Sequence, residues 1–360
     1  MPTLTDEDLS KKVKPLCPVF GECGGCLYQD LPYPEELSLK QKLLSGILEQ
    51  KVDLNKASFR EIIPSPKPYH YRNRLDLKLL KTKDNKVFIG FSPQSKNKVV
   101  PINECPIAIE AISDFIPELK NQAVERLTPK YRNANLTIRT GDDKRVLWGG
   151  IGKRSLELSP DHYLSTKIGS KTIFYSLDTF FQANLSILPE LLRILSSFTF
   201  IKQESTFFDL YGGVGLFGIN LNDKVKNVIL IEDCIQSIRV AEHNSFFNGL
   251  KNLDIYKGKV EGLFPELLKN SAGPNIVMID PPRSGLSKEA LKLLSNSSGI
   301  DNLIYLSCNP KALADDLKYL CEYSFNISEI IPFDLFPKTE HIETLVTLEK
   351  KHGRTNYAAS

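Results

Sequence analysis

Two short polar segments follow apolar runs in the last third of the chain. Asp-Pro-Pro-Arg, at 280–283, comes directly after the apolar run 275–279, and Ser-Cys-Asn-Pro, at 307–310, comes after the run 302–306. The length and composition of both runs are typical of buried strands. Because ligands bind at the carboxyl ends of the strands in open parallel sheets, the two segments predict a carboxylate, a guanidinium and a thiol along one edge.

The thiol of the second segment, Cys308, is the candidate nucleophile. It lies just past a predicted strand and just before Asn309 and Pro310, where a helix is predicted to begin. The N-terminus of a helix lowers the pKa of a nearby thiol, so we expect a nucleophilic thiolate at Cys308. Cys234 and Cys321 stand in apolar sequence without this context, and we interpret them as core residues.

A glycine-rich turn lies upstream, in Asp-Leu-Tyr-Gly-Gly-Val-Gly at residues 209–215. Gly213 and Gly215 allow the backbone to approach a ligand beside the start of a helix. The next predicted strand ends at Glu232, whose carboxylate can accept hydrogen bonds from a ribose. Such a turn alone also occurs in α/β domains that bind no nucleoside. Followed by Asp280 and the thiol, it indicates S-adenosylmethionine, and its spacing is not the G-x-G-x-x-G of dinucleotide sites.

A third polar segment, residues 334–343, precedes the last predicted strand and ends in Glu340, His341 and Glu343. Two carboxylates and an imidazole in this place could supply a general base. The alternative is that they are ordinary surface residues, and His341 on its own is more typical of a structural histidine.

Four further cysteines form a candidate metal-binding set, with Cys17, Cys23 and Cys26 clustered and Cys105 far downstream. An odd total of seven cysteines favours metal-binding or catalytic thiols over a disulfide framework. Structural zinc usually has two short C-x2-C pairs, whereas this set has three clustered cysteines and a remote one. We therefore favour a [4Fe-4S] cluster over zinc, and four unrelated buried thiols are the remaining alternative.

The elements that must position these groups alternate regularly from Thr206 onward. The predicted strands cover residues 206–210, 227–231, 252–256, 275–279, 302–306, 326–331 and 344–349. Helical patterns fill most of the gaps, which is typical of a doubly wound α/β sheet. The short connection between the last two strands predicts an antiparallel hairpin at the sheet edge.

The first half of the chain shows shorter patterns. Residues 35–50 predict an amphipathic helix, and the Pro-rich stretch 63–68 predicts a linker. The predicted strands of a small β-rich domain cover residues 74–80, 87–91, 136–139 and 145–148, with a turn at 83–85.

The composition, 41% hydrophobic and 25% charged, is ordinary for a globular protein, and no apolar run approaches the roughly 20 residues of a membrane span. The N-terminus is acidic rather than a signal peptide, so we expect a cytoplasmic protein. A net charge of only +3 means that a nucleic-acid surface must be local. The stretch 67–102 is the candidate, because it carries nine basic and two acidic residues with interleaved aromatics. A solvated strand face is the alternative.

Together these segments resemble the RNA uracil-5-methyltransferases that form 5-methyluridine, in the iron–sulfur branch of that family. The resemblance extends from residue 17 to about residue 349. The matching residues are Cys17, 23–26 and Cys105, together with residues 71–73, 180–184, 209–215, 280–283, 307–310, 336–337 and 341–343.

The resemblance implies an α/β fold: a Rossmann-like S-adenosylmethionine-dependent methyltransferase sheet with a smaller β-rich domain that bears the iron–sulfur cluster. The implied organisation is a flexible tail (1–16), an iron–sulfur segment with a connecting helix (17–68), a β-rich RNA-binding domain (69–170), the methyltransferase domain (171–350) and a second tail (351–360). The expected substrate is 23S rRNA, with tRNA as the alternative, and we expect a monomer.

The resemblance also implies roles for single residues. Cys308 resembles the nucleophile that adds to C6 of uracil, and Glu343 resembles the general base. The implied contacts to S-adenosylmethionine are Gln182, Tyr211, Glu232 and Asp280. The implied [4Fe-4S] ligands are Cys17, Cys23, Cys26 and Cys105.

The chain departs from the family pattern in two residues and at its N-terminus. Gly212 stands where the family often has cysteine, and Leu216 stands where many relatives have asparagine, so any side-chain contact to the cofactor there is lost. We expect no N-terminal β-barrel before Cys17, which resembles the shorter members that act on 23S rRNA.

Two other functions fit parts of the pattern. An exocyclic-amine methyltransferase would favour Asn-Pro-Pro and needs no thiol, so Asp280 and Cys308 argue against it. A non-catalytic iron–sulfur RNA-binding protein could keep the cofactor fold, but the presence of both Cys308 and Glu343 argues against a loss of catalysis.

Overall fold

The computed structural model of the chain describes residues 12–84, 86–93, 99–126, 132–150 and 160–351. Contacts divide the chain into two compact units, each assembled from separate stretches. Unit 1 comprises residues 1–40, 64–190 and 334–341, and unit 2 comprises 41–63, 191–333 and 342–360. Parts of some predicted features lie outside the described residues: 1–11 and 352–360 of the two tails, Asn85 of the turn, and Lys96 and Lys98 of the basic stretch.

The described residues form eight α-helices and fifteen β-strands. The helices are α1 (Tyr33–Glu49), α2 (Glu110–Arg126), α3 (Leu188–Ser197), α4 (Leu216–Leu221), α5 (Ile235–Phe247), α6 (Val260–Lys269), α7 (Lys288–Asn296) and α8 (Pro310–Tyr323). The strands are β1 (Ser58–Phe59), β2 (Arg74–Lys81), β3 (Val87–Phe91), β4 (Val100–Pro101), β5 (Asn133–Thr140), β6 (Val146–Gly150), β7 (Leu164–Ile168), β8 (Lys171–Tyr175), β9 (Thr206–Leu210), β10 (Asn227–Glu232), β11 (Leu253–Lys257), β12 (Asn275–Ile279), β13 (Asn302–Ser307), β14 (Phe325–Phe333) and β15 (Glu343–Lys350). None of the described helices combines the length and apolar character that crossing a membrane requires.

Unit 2 is built on a mixed eight-stranded sheet in the order β1-β14-β15-β13-β12-β9-β10-β11. The strands β9 to β13 are parallel, and β15 runs antiparallel to both of its neighbours, β13 and β14. All seven strands predicted from Thr206 onward are present, and the predicted antiparallel hairpin is β14–β15. Its predicted place at the edge needs correction, because the two-residue strand β1 pairs with β14 outside it.

The central strands β12 and β13 are buried along almost their whole length, which explains their continuous hydrophobic runs. The side chains of Phe208 in β9 and Phe264 in α6 pack edge to face with their ring centroids 5.3 Å apart. Leu44 and Leu48, from the second half of α1, are fully buried in the same core. Asp209 is the exception in β9, since it is a carboxylic acid that is only 1% exposed.

The order of strands in unit 2 reverses between β9 and β12. From β9 the chain continues outward to β10 and β11 on one side, and β12 and β13 lie on the other side. Open α/β sheets bind ligands in the crevice at such a switch point, beyond the carboxyl ends of the strands. The glycine turn follows β9 and the segment 280–283 follows β12, so the fold brings both to this point.

Unit 1 contains a five-stranded antiparallel sheet, β4-β3-β2-β5-β6, and the hairpin β7–β8. Alternate leucines of β2, at 75, 77 and 79, pack in a core that also includes residues of α2, Cys26 and Cys105. The four strands predicted for the first half of the chain are present as β2, β3, β5 and β6. The sequence patterns did not predict β4, β7, β8 or α2, and α2 contains an internal proline, Pro117, that interrupts its helical signal.

Candidate active site

Cys308 and Glu343 lie at the same end of the sheet of unit 2, next to neighbouring antiparallel strands. Ser307 and Thr344 form the last registered pair of β13 and β15 at this end. Cys308 and Glu343 are the next residues outward, so the antiparallel register places them opposite each other. Burial is the largest cause of the raised pKa of Cys308, and the negative charge of Glu343 is the next, as expected for neighbours. The fold thus brings the predicted nucleophile and the predicted base together.

Asp280 completes a cluster at this end of the sheet. It follows β12, which runs parallel to β13. The negative charge of Asp280 raises the pKa of both Cys308 and Glu343, and the positive charge of Arg283 lowers both. The carboxylate, guanidinium and thiol that the sequence placed along one edge therefore act on one another.

The expected thiolate at Cys308 is wrong for the free protein, because the pKa of this thiol is raised to about 11. Burial is the largest cause, followed by the charges of Glu343 and Asp280. The helix α8 begins directly after the capping residue Asn309, but its N-terminus does not offset burial and two carboxylates. Cys308 is a neutral thiol at neutral pH and needs a base to become a nucleophile.

The two carboxyl groups of the cluster are themselves weak acids. Glu343 is 3% exposed, and burial, with the charge of Asp280 adding to it, raises its pKa well above the ordinary value. Burial of the carboxyl group also raises the pKa of Asp280, although part of the residue reaches the surface. Burial and the repulsion between the two charges disfavour the state in which both groups are ionised. Asp280, whose pKa burial raises to about 7, can therefore accept and donate a proton near neutral pH.

The glycine turn after β9 is held by Glu232. Gly213 N donates to Glu232 Oε2 at 2.9 Å, and Cys234 N, at the start of α5, donates to Glu232 Oε1 at 2.8 Å. Tyr211, Gly213 and Gly215 have φ angles of 59°, 55° and 88°, in the left-handed region that glycine adopts at least cost. A Cβ atom at Gly213 would meet nothing within 4 Å. The turn therefore borders open space. The carboxylate of Glu232 has further lone pairs, which can accept hydrogen bonds from ribose hydroxyls there.

Sequence reasoning assigned no role to Asp209, the last but one residue of β9. Its Oδ2 accepts a hydrogen bond of 2.8 Å from Gly218 N in α4. Burial raises its pKa to about 8, and the charges of Asp280 and Glu232 add to this. The available signal was a carboxylic acid inside an apolar strand just before the glycine turn.

Asn309 was also missed as a positioning residue. Its Nδ2 donates to the carbonyl oxygen of Arg283 at 2.8 Å, and its Oδ1 caps α8 by accepting from Lys311 N at 3.1 Å. One side chain thus ties the segment of Asp280 to the segment of Cys308. The signal was an asparagine directly before a proline at a helix start.

Comparison with known proteins decides the family. The tRNA (uracil-5-)-methyltransferase family matches residues 149–351, more than half of the chain. The chain belongs to this family. An uncharacterized RNA methyltransferase of Aquifex aeolicus is 31% identical over 371 residues, 93% of this chain and 84% of the relative. The tRNA (uracil(54)-C(5))-methyltransferase of Schizosaccharomyces pombe is 28% identical over 93% of this chain and 65% of its own length.

A solved structure agrees with this assignment. The tRNA (uracil-54, C5)-methyltransferase of Pyrococcus abyssi, in complex with S-adenosyl-L-homocysteine, has a TM-score of 0.69 and 25% identity. The alignment covers 90% of this chain and 85% of that one. The protein is an RNA (uracil-5-)-methyltransferase with an α/β fold that uses S-adenosylmethionine. The predicted enzyme class and this cofactor are confirmed, whereas the target RNA, the iron–sulfur cluster and the roles of single residues stay predictions.

Gln182 of this methyltransferase lies in unit 1 and is 4% exposed. The loop before it is held by Arg139, whose guanidinium donates to the carbonyl oxygens of Ser176, Thr179 and Phe181 at 2.7, 2.8 and 3.0 Å. Burial is the main reason why the pKa of Arg139 falls to about 9. The Gln182 backbone is therefore well fixed, and its contact to the cofactor stays a prediction.

The two departures from the family pattern have different consequences. A Cβ atom at Gly212 would come within 2.6 Å of Leu230 Cγ, so the cysteine common in the family does not fit here unless Leu230 moves. The glycine is matched to this leucine. Leu216 is 5% exposed at the start of α4 and offers no polar group to a ligand.

The four cysteines of the predicted cluster all lie in unit 1 and influence one another. Burial raises the pKa of Cys26 to about 12, and the charges of Cys105, Cys23 and Cys17 add to this. Cys26 and Cys105 pack in one core. However, no three His, Cys, Asp or Glu side chains in the described part of the chain are arranged so that they could hold a metal ion. The donor types fit an iron–sulfur cluster, but the described side chains are not arranged as a set of metal ligands.

Proposed function

We propose that this methyltransferase acts on C5 of a uracil in RNA through a covalent bond between Cys308 Sγ and C6 of the base. The supporting observation is the position of Cys308 opposite Glu343 and beside Asp280. C5 of uracil is a poor nucleophile, and its proton is not acidic. Addition of a thiolate at C6 turns C5 into an enolate carbon that can attack a methyl group, so the thiol makes C5 nucleophilic.

Proton transfers by two carboxylates complete the reaction. Asp280 takes the thiol proton of Cys308, and the sulfur forms its bond to C6 while the C5–C6 π electrons move into the enolate. S-adenosylmethionine, when bound, would supply an electrophilic methyl carbon: C5 would form its bond to that carbon while the bond from the carbon to the sulfonium sulfur breaks, with S-adenosylhomocysteine as the leaving group. Glu343 then takes the C5 proton, the C5–C6 double bond re-forms, and the C6–S bond breaks to leave a thiolate on Cys308. One proton returns to Cys308 and the other leaves to water.

Other residues would bind the cofactor and the uracil base. The glycine turn and Glu232 would hold the nucleoside part of the cofactor, because the carboxylate stands beside open space and keeps acceptor capacity. Tyr211, Gln182 and Asp280 are further proposed contacts to S-adenosylmethionine. Arg283 would orient the base. The uracil must leave its stack to reach a site at the end of the sheet, so we propose base flipping.

Mass spectrometry of protein–RNA mixtures tests this mechanism. Cys308→Ala should abolish both the adduct and methylation, and Glu343→Gln should accumulate the adduct because the C5 proton stays in place. Cys321→Ala is the matched control, since its thiol also lies in unit 2 and has a pKa raised to about 11, mainly by burial. Full methylation activity in Cys308→Ala would refute the covalent mechanism.

For the target we propose 23S rRNA, with tRNA as the second candidate. The observation that favours tRNA is that the relatives from S. pombe and P. abyssi are named for uracil 54 of tRNA. Mapping 5-methyluridine in separated tRNA and 23S rRNA from cells with and without the protein distinguishes the two. Loss from one fraction identifies the substrate. Light scattering would test the proposed monomer.

We also propose that Cys17, Cys23, Cys26 and Cys105 hold a [4Fe-4S] cluster with a structural role. The supporting observation is that the charges of these four thiols affect one another's pKa values. The role is structural because methyl transfer requires no electron transfer. Iron and sulfide analysis of anaerobically purified protein should give four of each per chain. Zinc in their place would overturn the proposal.

A further inference from the structure

Four charged side chains of unit 1 lie where proteins usually place apolar groups. Glu36 and Lys40 belong to α1, and Asp334 and Lys338 belong to the segment 334–341. Each of the four residues is at most 3% exposed. We call them the buried charge cluster. Removing an ion from water costs several kcal/mol in real proteins, so four such groups require close compensation.

Lys40 makes three of the hydrogen bonds that compensate for the burial of these charges. Its Nζ donates to Glu36 Oε1 at 2.9 Å, to Asp334 Oδ1 at 2.7 Å and to the carbonyl oxygen of Phe336 at 3.1 Å. An ammonium group has three hydrogens, and all three are used. The second oxygen of Asp334 accepts from the hydroxyl of Tyr33 at 2.9 Å. Lys40 thus joins the helix α1 to two points of the segment 334–341.

Lys338 makes the second connection to Glu36. Its backbone N donates to Glu36 Oε1 at 2.6 Å, and its Nζ lies 3.0 Å from Glu36 Oε2. The ammonium also lies 5.3 Å from the ring centroid of Tyr33 and 5.5 Å from that of Tyr69. Lys338 has a φ angle of 66°, in the left-handed region that a lysine rarely adopts. The contacts of Lys338 hold its backbone in a conformation that is unfavourable without them.

The carbonyl groups of the segment are held as well. Each of four consecutive carbonyl oxygens accepts a hydrogen bond from elsewhere in unit 1. The pairs are Leu335 O with Asn184 Nδ2 (3.1 Å), Phe336 O with Lys40 Nζ (3.1 Å), Pro337 O with Tyr71 Oη (3.0 Å), and Lys338 O with Leu27 N (2.9 Å) and Tyr28 N (3.1 Å). Leu27 and Tyr28 directly follow Cys26, so the cysteine segment takes part in the same anchoring.

Such anchoring exceeds what a connection between two strands requires. Buried ion pairs seldom stabilise a protein more than well-packed apolar residues of similar volume, so stability alone does not account for the cluster. The segment does have a chemical consequence, because Ile342 and then Glu343 follow it directly. We propose that the buried charge cluster fixes the segment 334–341 so that Glu343 enters β15 with its carboxyl group in place for C5 proton removal. This inference rests on the proposed role of Glu343 as the base.

The proposal makes Lys40 and Lys338 positioning residues of the reaction. A displacement of about 1 Å in a catalytic group can lower a rate about 100-fold. The place of Cys308 depends less on this segment, because Cys308 follows β13, which pairs with β12 as well as with β15. Loosening the cluster should therefore slow proton removal by Glu343 and leave adduct formation by Cys308 intact.

Two variants of different severity test this. Lys40→Met removes the central charge but keeps much of the side-chain volume, and Tyr71→Phe removes only the hydroxyl that binds Pro337 O. Lys12→Met is the matched control, because Lys12 is a 64% exposed side chain of the same unit, paired with Asp30 at 3.1 Å. Glu343→Gln is the reference for a missing base.

The measurements are thermal unfolding, kcat and KM for S-adenosylmethionine, and the fraction of protein in the covalent RNA adduct on denaturing gels. We expect kcat to fall about 10- to 100-fold in Lys40→Met and less in Tyr71→Phe, with KM unchanged within about twofold. The adduct should accumulate in both, as in Glu343→Gln, and Lys12→Met should match the wild type.

A fall in turnover that only follows the folded fraction, without adduct, would overturn the positioning role. If Lys40→Met does not fold, Tyr71→Phe decides, and wild-type behaviour there overturns the proposal. Failure of Glu343→Gln itself to trap the adduct would refute Glu343 as the base. Trapping in Glu343→Gln but not in the cluster variants would refute the positioning role alone.

Discussion

Cys308 is expected to resist alkylation in the free protein, although it is the proposed nucleophile. A pKa raised from 9.0 to about 11 lowers the thiolate fraction about 100-fold at a pH well below 9, because each pKa unit changes the population tenfold. The reactive form is the thiolate, so a raised pKa means that reactivity is gained only as the pH rises towards 11. The labelling rate should therefore increase about tenfold per pH unit from about pH 7 to 9.5, without a plateau.

Labelling with iodoacetamide followed by peptide mass spectrometry measures this rate for each cysteine separately. Cys321 is the internal control, because burial is the largest cause of its raised pKa and no carboxylate contributes. Glu343→Gln removes a charge that raises the pKa of Cys308, so it should speed the labelling of Cys308 at about pH 9 and leave Cys321 unchanged. A plateau below pH 9 in the wild type, or equal effects on both cysteines, would refute the reasoning.

Three further predictions concern the supports of the site. Asn309→Ala removes a helix cap and the bond to Arg283 O, and should cost about 1 kcal/mol in unfolding free energy and lower kcat, as measured by thermal unfolding and methylation assays. The pKa of Asp209 is raised in the folded state to about 8, so its contribution to stability falls as the pH rises from about 4 through 8. The melting temperature of Asp209→Asn should therefore exceed that of the wild type by an amount that grows from about pH 5 to about pH 8.5. A difference that stays constant over this range would contradict the raised pKa of Asp209. Gly212→Ala should destabilise unit 2 by about 1–3 kcal/mol through overpacking against Leu230, and Leu230→Val should recover part of the lost melting temperature, which an unrelated cause would not allow.

The strands of unit 2 could be predicted because the reason for their sequence is local. A strand covered on both faces is mostly apolar, so β12 and β13 appear as continuous runs that end at polar segments. The strand β1 could not be predicted, because two residues carry no pattern and their pairing depends on β14, far along the chain. The helix α2 was missed for another reason, since Pro117 is normally a helix breaker.

The chemistry of the site was partly predictable for the same reason. Residue types at strand ends identified Cys308, Asp280 and Glu343 as candidates, but their meeting depends on the register of β15 against β13. The local sequence showed only a helix start beside Cys308, which predicts a lowered pKa. Burial and the charges of two carboxylates come from other strands, and they reverse the direction of the shift.

The electrostatics of the carboxyl groups link cofactor binding to proton transfer. Asp209, Asp280 and Glu343 all have pKa values raised by burial, and the mutual charges of the acids add to the effect for Asp209 and Glu343. Arg283 lowers the pKa of Glu343 but is itself exposed. A cation near a carboxyl group favours its ionised form, and the sulfonium of S-adenosylmethionine is such a cation, whereas S-adenosylhomocysteine carries a neutral thioether. In the proposed mechanism, binding of the positively charged methyl donor would favour the ionised form of Asp280 at the stage when Cys308 must lose its proton. Loss of that charge with the methyl group would raise the pKa of the nearby carboxyl groups again, so Glu343 would hold the C5 proton more strongly once the methyl group has been transferred.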